Sequence, residues 1–551
     1  MLLKMLDIHK KFCKETFDHK GHLINFEPVY ENNFNFAYDV VDAIAAETPD
    51  KRAMVWTDDS GNDKIFTFKD FSVLSNQTAN YFLDAGIKKG DKVLIVLKRH
   101  YQFWIAILAL HKIGAVGVPS TNLLTTKDYI YRLNSANIKA VIATTDGDVI
   151  KNIDNALVNR EPINIKISVK GSVPGWLDFD NTFTKYPDKF DRIETLVAEP
   201  ILLYFTSGTT GMPKMVLHDH SYPIAHIITA KYWHNVDPDG LHLTISDTGW
   251  LKSMWGKLYG QWLMEAAVFV CDFNKFIPSE ILTLFAKYKI TTFCAPPTMY
   301  RFFIKEDLKQ YDLSSLKYAT TAGEPLNPEV FTQFYNATGL RLMEGFGQSE
   351  TTLTIFTPLG TEPVPGSMGI PSPAYNLDIV DDKCQRVSAG TVGEIVIRTE
   401  NGKPCGMFGG YYENDELTNT VWYDNIYHTG DTAWYDEDGY IWFVGRSDDI
   451  IKSSGYRIGP FEIESVVLEH PSCLECAVTG VPDPIRGQIV KATIVLAKGY
   501  EPSESLKKEI QKYVKENTAP YKYPRVIEFV PELPKTISGK IQRVKIRESK
   551  A

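Results

Sequence analysis

Strand and helix signals alternate between residues 92 and 145, and this alternation limits the possible folds of the chain more strongly than any other feature. Gly114 directly follows a helix-length segment and is typical of a helix end. A βαβαβ order of this kind predicts a parallel sheet covered by helices. The predicted elements are a strand at 92–97, a helix at 100–113, a strand at 115–118, a helix at 125–135 and a strand at 140–144.

The same pattern returns in the middle of the chain, which predicts a second parallel sheet. From about Asn376, short alternating strands replace the helices and favour a small antiparallel barrel or sheet. After Gly445 a last unit has its own βα pattern. Strands are predicted at 241–246, 267–271, 291–295, 317–321, 393–398, 477–481, 491–496 and 526–530, and C-terminal helices at 462–469 and 504–516.

The length of the chain and one polar segment predict the domain organisation. A chain of 551 residues is too long for one hydrophobic core, so at least two domains are expected. The segment Gly445-Arg446-Ser447-Asp448-Asp449 is short and polar, as a domain boundary should be. We predict an α/β fold whose large N-terminal domain, residues 1–446, holds two βαβαβ-type parallel sheets plus a small β-barrel. A small α+β C-terminal domain is predicted over residues 447–551.

Charge and cysteine content exclude several classes of protein. The net charge is −9, whereas nucleic-acid binding usually leaves a basic footprint, so no nucleic acid is expected as a partner. No apolar run reaches the length of a membrane span. Seven cysteines are scattered without regular spacing, which favours a reduced, cytoplasmic protein. The sequence leaves open whether the protein is a monomer or a homodimer.

The N-terminus begins Met1-Leu2-Leu3-Lys4-Met5-Leu6-Asp7, an apolar stretch broken by charge. This pattern is unlike a signal peptide, and the acidic residues Asp7 and Glu15 are unusual for a transit peptide. We predict an amphipathic helix on the body of the protein.

Two short patterns could hold a metal ion but are more typical of structural residues. Cys473 and Cys476 form a single C-x-x-C, and a zinc site would need a second pair. His218, Asp219 and His220 are neighbours in sequence, which is commoner in loops than in metal sites. We expect no transition metal at either place.

The strongest chemical signal is Thr206-Ser207-Gly208-Thr209-Thr210-Gly211-Met212-Pro213-Lys214, which follows a buried run at 201–205. Free backbone N–H groups and hydroxyls in such a loop can bind phosphate oxygens, and Lys214 adds a positive charge. The loop is not the G-x-x-x-x-G-K-[ST] phosphate loop, because Pro213 precedes the lysine. The alternative is a flexible linker, but linkers do not normally carry Met-Pro-Lys directly after a strand.

This segment resembles the signature loop of the adenylate-forming superfamily, which includes acyl-CoA synthetases, luciferases and the adenylation domains of peptide synthetases. Further segments resemble motifs of that family and occur in the family's order over nearly the whole chain. One match would be weak evidence, whereas the ordered set is very specific. These segments are Thr321-Ala322-Gly323-Glu324-Pro325, Glu344-Gly345-Phe346-Gly347-Gln348-Ser349-Glu350, Tyr427-His428-Thr429-Gly430-Asp431, Gly445-Arg446-Ser447-Asp448, Gly455-Tyr456-Arg457-Ile458 and Pro534-Lys535-Thr536-Ile537-Ser538-Gly539-Lys540.

The resemblance implies that ATP and a carboxylic acid form an acyl-adenylate, and that coenzyme A then takes the acyl group. Because negative charge collects at the reacting phosphate, catalysis would depend on positioning and electrostatics. Lys540, Glu350 and Lys214 are the implied catalytic residues, and Glu350 would hold Mg²⁺. The implied ATP-binding residues are Thr206, Ser207, Gly208, Thr209, Thr210, Gly211, Lys214, Gly323, Glu324, Pro325, Glu344, Gly345, Phe346, Gly347, Gln348, Ser349, Asp431, Arg446, Arg457 and Lys540.

Enzymes of this family use one active site for two half-reactions, and their C-terminal domain is mobile. It would supply Lys540 first and then rotate to offer another face to coenzyme A, with Asp448 as the implied pivot. By resemblance to medium-chain synthetases, the residues expected near coenzyme A are Ser454, Gly455, Tyr456, Arg486, Lys515, Tyr523, Pro524 and Arg525.

One replacement in the segment 344–350, which we call the glutamate motif because it ends at Glu350, implies the shape of the pocket for the acid. Acetyl-CoA synthetases carry a tryptophan three residues before the motif glutamate, whereas this chain has Gly347 there. A missing indole would leave space for several methylene groups, with Trp250 and Met254 as pocket walls. Both residues could equally be plain core residues.

We therefore expect an AMP-forming acyl-CoA synthetase, similar to the medium-chain group, for a medium-chain or branched-chain fatty acid. The alternatives are an aryl-CoA ligase for a benzoate-like acid and an adenylation enzyme that loads a carrier protein. A non-catalytic acyl or nucleotide sensor is the alternative from another class, and the presence of Lys540, Glu350 and Asp431 speaks against it.

Overall fold

The N-terminal part of the chain is built on two large sheets whose central strands are parallel. The computed structural model describes residues 5–158, 161–206, 212–454, 456–536 and 540–548. In the first sheet, the edge strand Lys214–Asp219 is antiparallel to its neighbour, and the other pairs are parallel. The order across this sheet is Lys214–Asp219, Pro200–Thr206, Val116–Pro119, Lys92–Val96, Ala140–Thr144, Ile165–Val169 and Leu177–Asp178.

The second sheet has a parallel centre and antiparallel strands at both edges. It includes Arg52–Asp58 from the start of the chain, which pairs with the distant strand Ala267–Asp272. The order across this sheet is Ile370–Pro371, Leu353–Phe356, Leu342–Gly347, Tyr318–Ala322, Thr292–Ala295, Leu241–Thr244, Ala267–Asp272, Arg52–Asp58 and Asp63–Thr67.

Helices pack between and around these sheets, and local sequence explains their limits. The helix Gln102–Ile113 is buried along its whole length and ends at Gly114, whose φ of 72° favours glycine. Thr67 and Thr125 begin helices through capping boxes with an aspartate three residues later. The α-helices of this part are Ala43–Glu47, Phe68–Asp84, Gln102–Ile113, Thr126–Ser135, Val149–Leu157, Tyr222–Ile227, Lys252–Gly256, Tyr259–Leu263, Pro278–Tyr288, Pro297–Phe303 and Pro328–Thr338.

The third sheet is antiparallel and lies next in the chain. It joins Leu377–Val380, Gly393–Arg398, Ile426–Tyr435, Trp422–Tyr423 and Ile441–Arg446, and the helix Asp415–Val421 precedes its shortest strand. In this sheet Asp431 and Arg446 are direct partners on neighbouring strands. This register brings two candidate site residues together.

The C-terminal unit has its own sheet and its own hydrophobic core. The long strands Cys473–Asp483 and Gly487–Leu496 form a hairpin, and Val526–Phe529 pairs parallel to the second of them. The sheet also contains Ile451–Ser453 and Tyr456–Ile458, and the helices are Pro460–Glu469, Glu504–Asn517 and Arg543–Glu548. None of the helices in the described ranges combines the length and the apolar character that a membrane crossing needs.

The predicted fold class is confirmed: parallel sheets form a large N-terminal part and a smaller α+β unit follows. The predicted N-terminal amphipathic helix is wrong for the described residues. A single 3-10 turn at Ile8–Lys11 is followed by the hairpin Cys13–Phe17 and Leu23–Pro28. The buried carboxylate of Glu265 accepts the backbone N–H groups of Leu6 and Ile8, which holds this segment in an irregular form.

Candidate active site

The candidate site residues lie where strands of both large sheets end. Thr206, Ala322 and Gly347 are each the last residue of a strand in the parallel part of a sheet. Ligands of open α/β sheets bind in the crevice outside the carboxyl ends of the strands. The fold therefore brings motifs that are far apart in sequence to one edge.

Asp431 is the centre of a hydrogen-bonded cluster. Its Oδ2 accepts a hydrogen bond from Gln348 Nε2 at 2.5 Å, and its Oδ1 lies 3.3 Å from Arg446 Nη1. Tyr427 donates its hydroxyl to Gln348 Oε1 at 2.8 Å, which fixes the orientation of that amide. Burial raises the pKa of Asp431 above its ordinary value, although Arg446 and Gln348 act in the opposite direction. Such a carboxylate gains from any further donor that reaches it.

Gly430 is required for this cluster on steric grounds. Its φ of 68° lies in the left-handed region, and a Cβ there would lie 2.8 Å from Arg446 Nη2. Arg446 also donates to the carbonyl of Thr429 at 3.0 Å. The glycine thus lets the guanidinium lie directly over the backbone of the motif.

Glu350 and Lys214 meet through one tyrosine. Tyr411 donates its hydroxyl to Glu350 Oε1 at 2.8 Å, and Lys214 Nζ lies 3.5 Å from the same hydroxyl oxygen. The Lys214 ammonium also lies 5.0 Å from the centre of the Tyr411 ring. Burial and Glu350 raise the pKa of Tyr411, so the phenol remains a donor. The motif sequences did not point to Tyr411.

The loop after Tyr318–Ala322 lies against a buried acid. Glu344 Oε1 accepts the backbone N–H of Leu326 at 3.1 Å, while its Oε2 is buried without a partner in the described part of the chain. Burial raises the pKa of Glu344 to about 8. Glu324 is bound by the Thr298 hydroxyl at 2.6 Å. Gly323 has a φ of 104°, a conformation that favours glycine.

Lys252 is a cation of the site that the sequence interpretation missed. Its Nζ donates to the carbonyl of Ala322 at 2.5 Å and lies 3.9 Å from the position of a Cβ on Gly323. Burial lowers the pKa of Lys252, and the charge of Lys540 acts in the same direction. A lysine directly after the large apolar residues Trp250 and Leu251 was the available signal.

Lys540 reaches the same region from the C-terminal unit. Its positive charge acts to lower the pKa of Asp431 and the pKa of Lys252. Its backbone N–H donates to Thr536 Oγ1 at 3.1 Å. Lys535, five residues earlier, is instead paired with Glu475 at 2.6 Å. The two lysines of this loop are therefore in different environments.

The structure corrects one step of the argument about the acid. The sequence suggested empty space beside Gly347, but a Cβ at that position would lie 2.5 Å from Trp255 Cη2. It would also lie 2.2 Å from the carbonyl oxygen of Thr352, so no side chain fits there without a backbone shift. Trp255 thus occupies the space next to the glycine. Trp250 is half-buried, whereas Met254 is 1% exposed and packs in the main core.

The residues expected near coenzyme A form two neighbouring groups on the C-terminal unit. Arg486 Nη1 lies 3.3 Å from Ser454 Oγ, and Tyr456, two residues further along the chain, is exposed. In the second group, Arg525 donates to the Tyr523 hydroxyl at 2.9 Å, and Lys515 lies over the same ring. Pro524 is buried, and its carbonyl accepts a hydrogen bond from Gln511 at 3.0 Å.

Asp448 lies between two anchored neighbours. Ser447 donates its backbone N–H to Gly430 in the third sheet at 2.9 Å. The buried carboxylate of Asp449 contacts Arg547 at 2.6 Å and Arg543 at 3.5 Å, both in the C-terminal helix. A change of backbone angles at Asp448 would move one anchored part relative to the other.

Some predicted residues lie outside the described part of the structure. These are Ser207, Gly208, Thr209, Thr210, Gly211 and Gly455, together with the side chain of Arg457. The strands on either side of the signature loop, residues 207–213, are described, and Thr206 pairs directly with Lys214. The ends of that loop therefore face the same edge as the other motifs.

His218 supports one of the motifs from the strand Lys214–Asp219. Its Nε2 donates to the carbonyl of Ser349 at 2.7 Å, and burial lowers its pKa to about 4, so the ring is neutral at ordinary pH. In the described ranges, no group of three or more His, Cys, Asp or Glu residues could hold a metal ion. His218 is a second supporting residue that the motifs did not reveal.

Known proteins are similar to this chain over nearly its whole length. The acyl-coenzyme A synthetase ACSM3, mitochondrial, of Rattus norvegicus is 42% identical over 524 residues, covering 93% of this chain and 90% of the relative. ACSM4, mitochondrial, of Mus musculus is 40% identical over 543 residues, covering 97% of this chain and 93% of the relative. The crystal structure of the anthranilate CoA ligase AuaEII in complex with anthranoyl-AMP has a TM-score of 0.86 at 29% identity, covering 94% and 98% of the two chains.

These relatives contradict the predicted cytoplasmic location, because both curated proteins are named as mitochondrial. The prediction is wrong, and the reason lies in the signal on which it rested. Scattered free cysteines indicate a reducing environment but do not distinguish one reducing compartment from another.

Family models match both parts of the fold. The model for the AMP-binding enzyme matches residues 41–412, and the model for the AMP-binding enzyme C-terminal domain matches residues 462–540. The first match alone covers well over half of the chain and includes the segments 206–214, 321–325 and 344–350. The chain belongs to the AMP-binding enzyme family.

Proposed function

We infer that the chain is an AMP-forming acyl-CoA synthetase, which joins a carboxylic acid to coenzyme A through an acyl-adenylate and releases AMP and diphosphate. One observation carries this inference. Three separate motifs contribute Gln348, Asp431 and Arg446. Gln348 and Arg446 both contact the buried carboxylate of Asp431. That arrangement suits a ribose, because Asp431 can accept hydrogen bonds from two neighbouring hydroxyls.

The first half-reaction concentrates negative charge, since a carboxylate oxygen attacks the α-phosphate while diphosphate leaves. Three lysines supply positive charge around this position: Lys214 and Lys252 from the N-terminal part and Lys540 from the C-terminal unit. We propose that Lys540 bridges the acid and the α-phosphate and stabilises the charge that develops in the transition state. Lys214 would bind the phosphates next to the loop that begins at Thr206.

Glu350 fits the requirements of Mg²⁺. This ion prefers hard oxygen ligands, keeps several waters and binds through one or two carboxylates plus substrate phosphates. Glu350 is a half-buried carboxylate beside Lys214 and Tyr411, and the described residues hold no larger cluster of protein ligands. When bound, the ion would neutralise phosphate charge. Tyr411 would meanwhile hold the carboxylate in place.

The second half-reaction needs a different surface. We propose that the face of the C-terminal unit that carries Arg486, Lys515 and Arg525 binds the phosphates of coenzyme A, because guanidinium and ammonium groups suit phosphate oxygens. Rotation about Asp448 would exchange this face for Lys540 at the same active site.

We propose a medium-chain or branched-chain fatty acid as the substrate, such as butyrate to octanoate or a methyl-butyrate. A long acyl chain gains affinity from apolar walls such as Trp255 and Trp250, while acetate makes few contacts. An aryl-CoA ligase remains the second candidate, because the AuaEII ligase of similar fold binds anthranoyl-AMP. Loading of a carrier protein is the third.

The decisive experiment is a diphosphate-release assay with purified protein and a panel of acids from acetate to octanoate, with benzoate, each with and without coenzyme A. We expect release with medium-length acids and thioester only with coenzyme A. Preference for benzoate would identify an aryl-CoA ligase. Diphosphate release without any thioester would favour a carrier protein as acceptor, and no release with any acid would contradict the enzyme assignment.

A further inference from the structure

Three consecutive residues join the carboxyl ends of the two large sheets. They are Lys98, Arg99 and His100, which follow the strand Lys92–Val96 of the first sheet. Each side chain reaches a residue that follows or ends a strand of the second sheet: Lys98 contacts Asn274 at 2.8 Å, Arg99 contacts Asp247 at 3.0 Å, and His100 contacts Asp272. We call these three residues the seam.

The seam is buried, so its contacts are shielded from water. The side chains of Lys98, Arg99 and His100 are 7%, 12% and 0% exposed. Buried charges need partners because their desolvation is costly, and the loss of one partner leaves the other uncompensated. Lys98 has a second partner in Asp146 at 2.8 Å, and His100 has one in the Thr144 hydroxyl at 2.8 Å.

Of the three seam residues, Arg99 is the one whose side chain reaches the loop Asp247–Trp250, which lies between the strand Leu241–Thr244 and the helix Lys252–Gly256. Its guanidinium binds Asp247 Oδ2 and the carbonyl of Phe273, which are on two different strand ends of the second sheet. Asp247 Oδ1 in turn accepts the N–H of Gly249 at 2.9 Å. The Asp247 carboxylate thus links the Arg99 guanidinium to the backbone of the loop.

The loop has little freedom on its other side. A Cβ on Gly249 would lie 2.2 Å from the backbone nitrogen of Thr121, so the loop is pressed against the first sheet. The Thr248 hydroxyl donates to the carbonyl of Lys98. The backbone carbonyl of Asp247 also accepts a hydrogen bond from the backbone N–H of Trp250 at 3.1 Å. The orientation of Trp250 therefore depends on where Asp247 is held.

We propose that Arg99 is a positioning residue for the acid substrate: by clamping Asp247 it fixes the loop that places Trp250 against the acyl chain. Arg99 need not touch ATP or the acid. A planar guanidinium with several fixed donors can bind a carboxylate and a carbonyl together, which an ammonium cannot do with the same geometry. The inference rests on the proposed function, because it assumes that Trp250 borders the acid.

The test compares Arg99→Met with Lys98→Met in the full-length protein. Both variants remove one buried seam charge, but only the first releases Asp247. We expect Arg99→Met to lower kcat/KM for hexanoate by about 10-fold to 100-fold, since small misplacements near the reaction are costly. The ratio of hexanoate to acetate activity should fall as well, with KM for ATP unchanged. Lys98→Met should keep the wild-type ratio.

Asp247→Asn provides a second variant if Arg99→Met does not fold, because it keeps the shape of the side chain and removes its charge. It should reproduce the altered acid ratio. Equal acid ratios in wild type, Arg99→Met and Asp247→Asn would overturn the proposal, as would an equal shift in Lys98→Met. Wild-type protein that releases no diphosphate with any acid would instead contradict the proposed function, so the two failures are distinguishable.

Discussion

The proposed nucleotide side and the proposed acid side of the site are built in different ways. Around Asp431, hydrogen bonds between polar side chains of distant motifs define the position of each group. Around Gly347, close packing against Trp255 and the backbone of Thr352 defines what can fit. Hydrogen bonding specifies a fixed ligand that every turnover uses, whereas packing can change by single side chains and so adapts to different acids.

Loss of Lys540 should give the largest effect, and it tests the nucleotide side. Lys540→Ala should lower adenylate formation by about 10²–10³-fold, as for other groups that stabilise developing charge. The factor should be the same for every acid, because the lysine acts on the phosphate and carboxylate. Diphosphate release measures the first step, and synthetic acyl-AMP with coenzyme A measures the second, which should survive.

Lys535→Ala is the matched control for that experiment, since it removes a lysine of the same loop that is paired with Glu475. It should leave both half-reactions near the wild-type rate. Equal loss of both steps in Lys540→Ala would contradict a role limited to adenylation. A change in the acid ranking would mean that the two sides of the site are not separate.

A proline at position 448 tests whether the nucleotide side is shared between two moving parts. Asp448→Pro fixes φ and removes a backbone donor between the anchored residues Ser447 and Asp449. Thioester formation should fall by at least about tenfold, equivalent to about 1.4 kcal/mol in the barrier. Adenylate formation should persist. Asp448→Ala keeps backbone freedom and serves as the control, and normal rates for both steps in the proline variant would exclude Asp448 as the pivot.

Replacement of the Trp255 indole by a smaller side chain tests the acid side. Trp255→Leu should leave KM for ATP unchanged and favour longer acids, because each newly accommodated methylene adds about 0.8 kcal/mol, or about fourfold in kcat/KM. The measurement is kcat/KM along a series from butyrate to decanoate. Trp262→Leu removes an indole that packs on Phe36 and Phe71 in the core and controls for lost stability. An unchanged chain-length profile would show that Trp255 does not limit the pocket.

The difference between hydrogen bonding around Asp431 and close packing around Gly347 also explains what the sequence could predict. Asp431, Gln348 and Arg446 belong to motifs whose order is visible in the sequence, so they could be assigned together before any contact was known. Trp255 and Lys252 lie in the helix Lys252–Gly256, which belongs to none of the motif segments, so neither residue could be assigned together with them. Most strands were predicted within a few residues, because their patterns are local. The pairing of Arg52–Asp58 with Ala267–Asp272 could not be predicted, since it joins segments far apart in the chain.

Glu344 should affect stability instead of catalysis, and it tests hydrogen bonding on the proposed nucleotide side through pH. Its pKa of about 8 in the folded protein is above the ordinary 4.5, so the folded state binds the extra proton between these values. Stability from this group is therefore complete below about pH 4.5 and is lost as pH rises towards 8. Glu344→Gln removes this dependence while keeping the shape of the side chain.

The free energy of unfolding of wild type relative to Glu344→Gln should therefore decrease as pH rises from 5 to 8, by up to about 1.4 kcal/mol per pH unit. Denaturant unfolding at several pH values measures it, and Glu437→Gln, which changes an exposed carboxylate, should show no such trend. Saturating ATP should reduce the slope if its adenine amino group donates to the unpaired Oε2, because a donor favours the charged carboxylate. A slope that ATP leaves unchanged would place the adenine away from Glu344 and would leave Asp431 as the residue by which hydrogen bonding fixes the nucleotide.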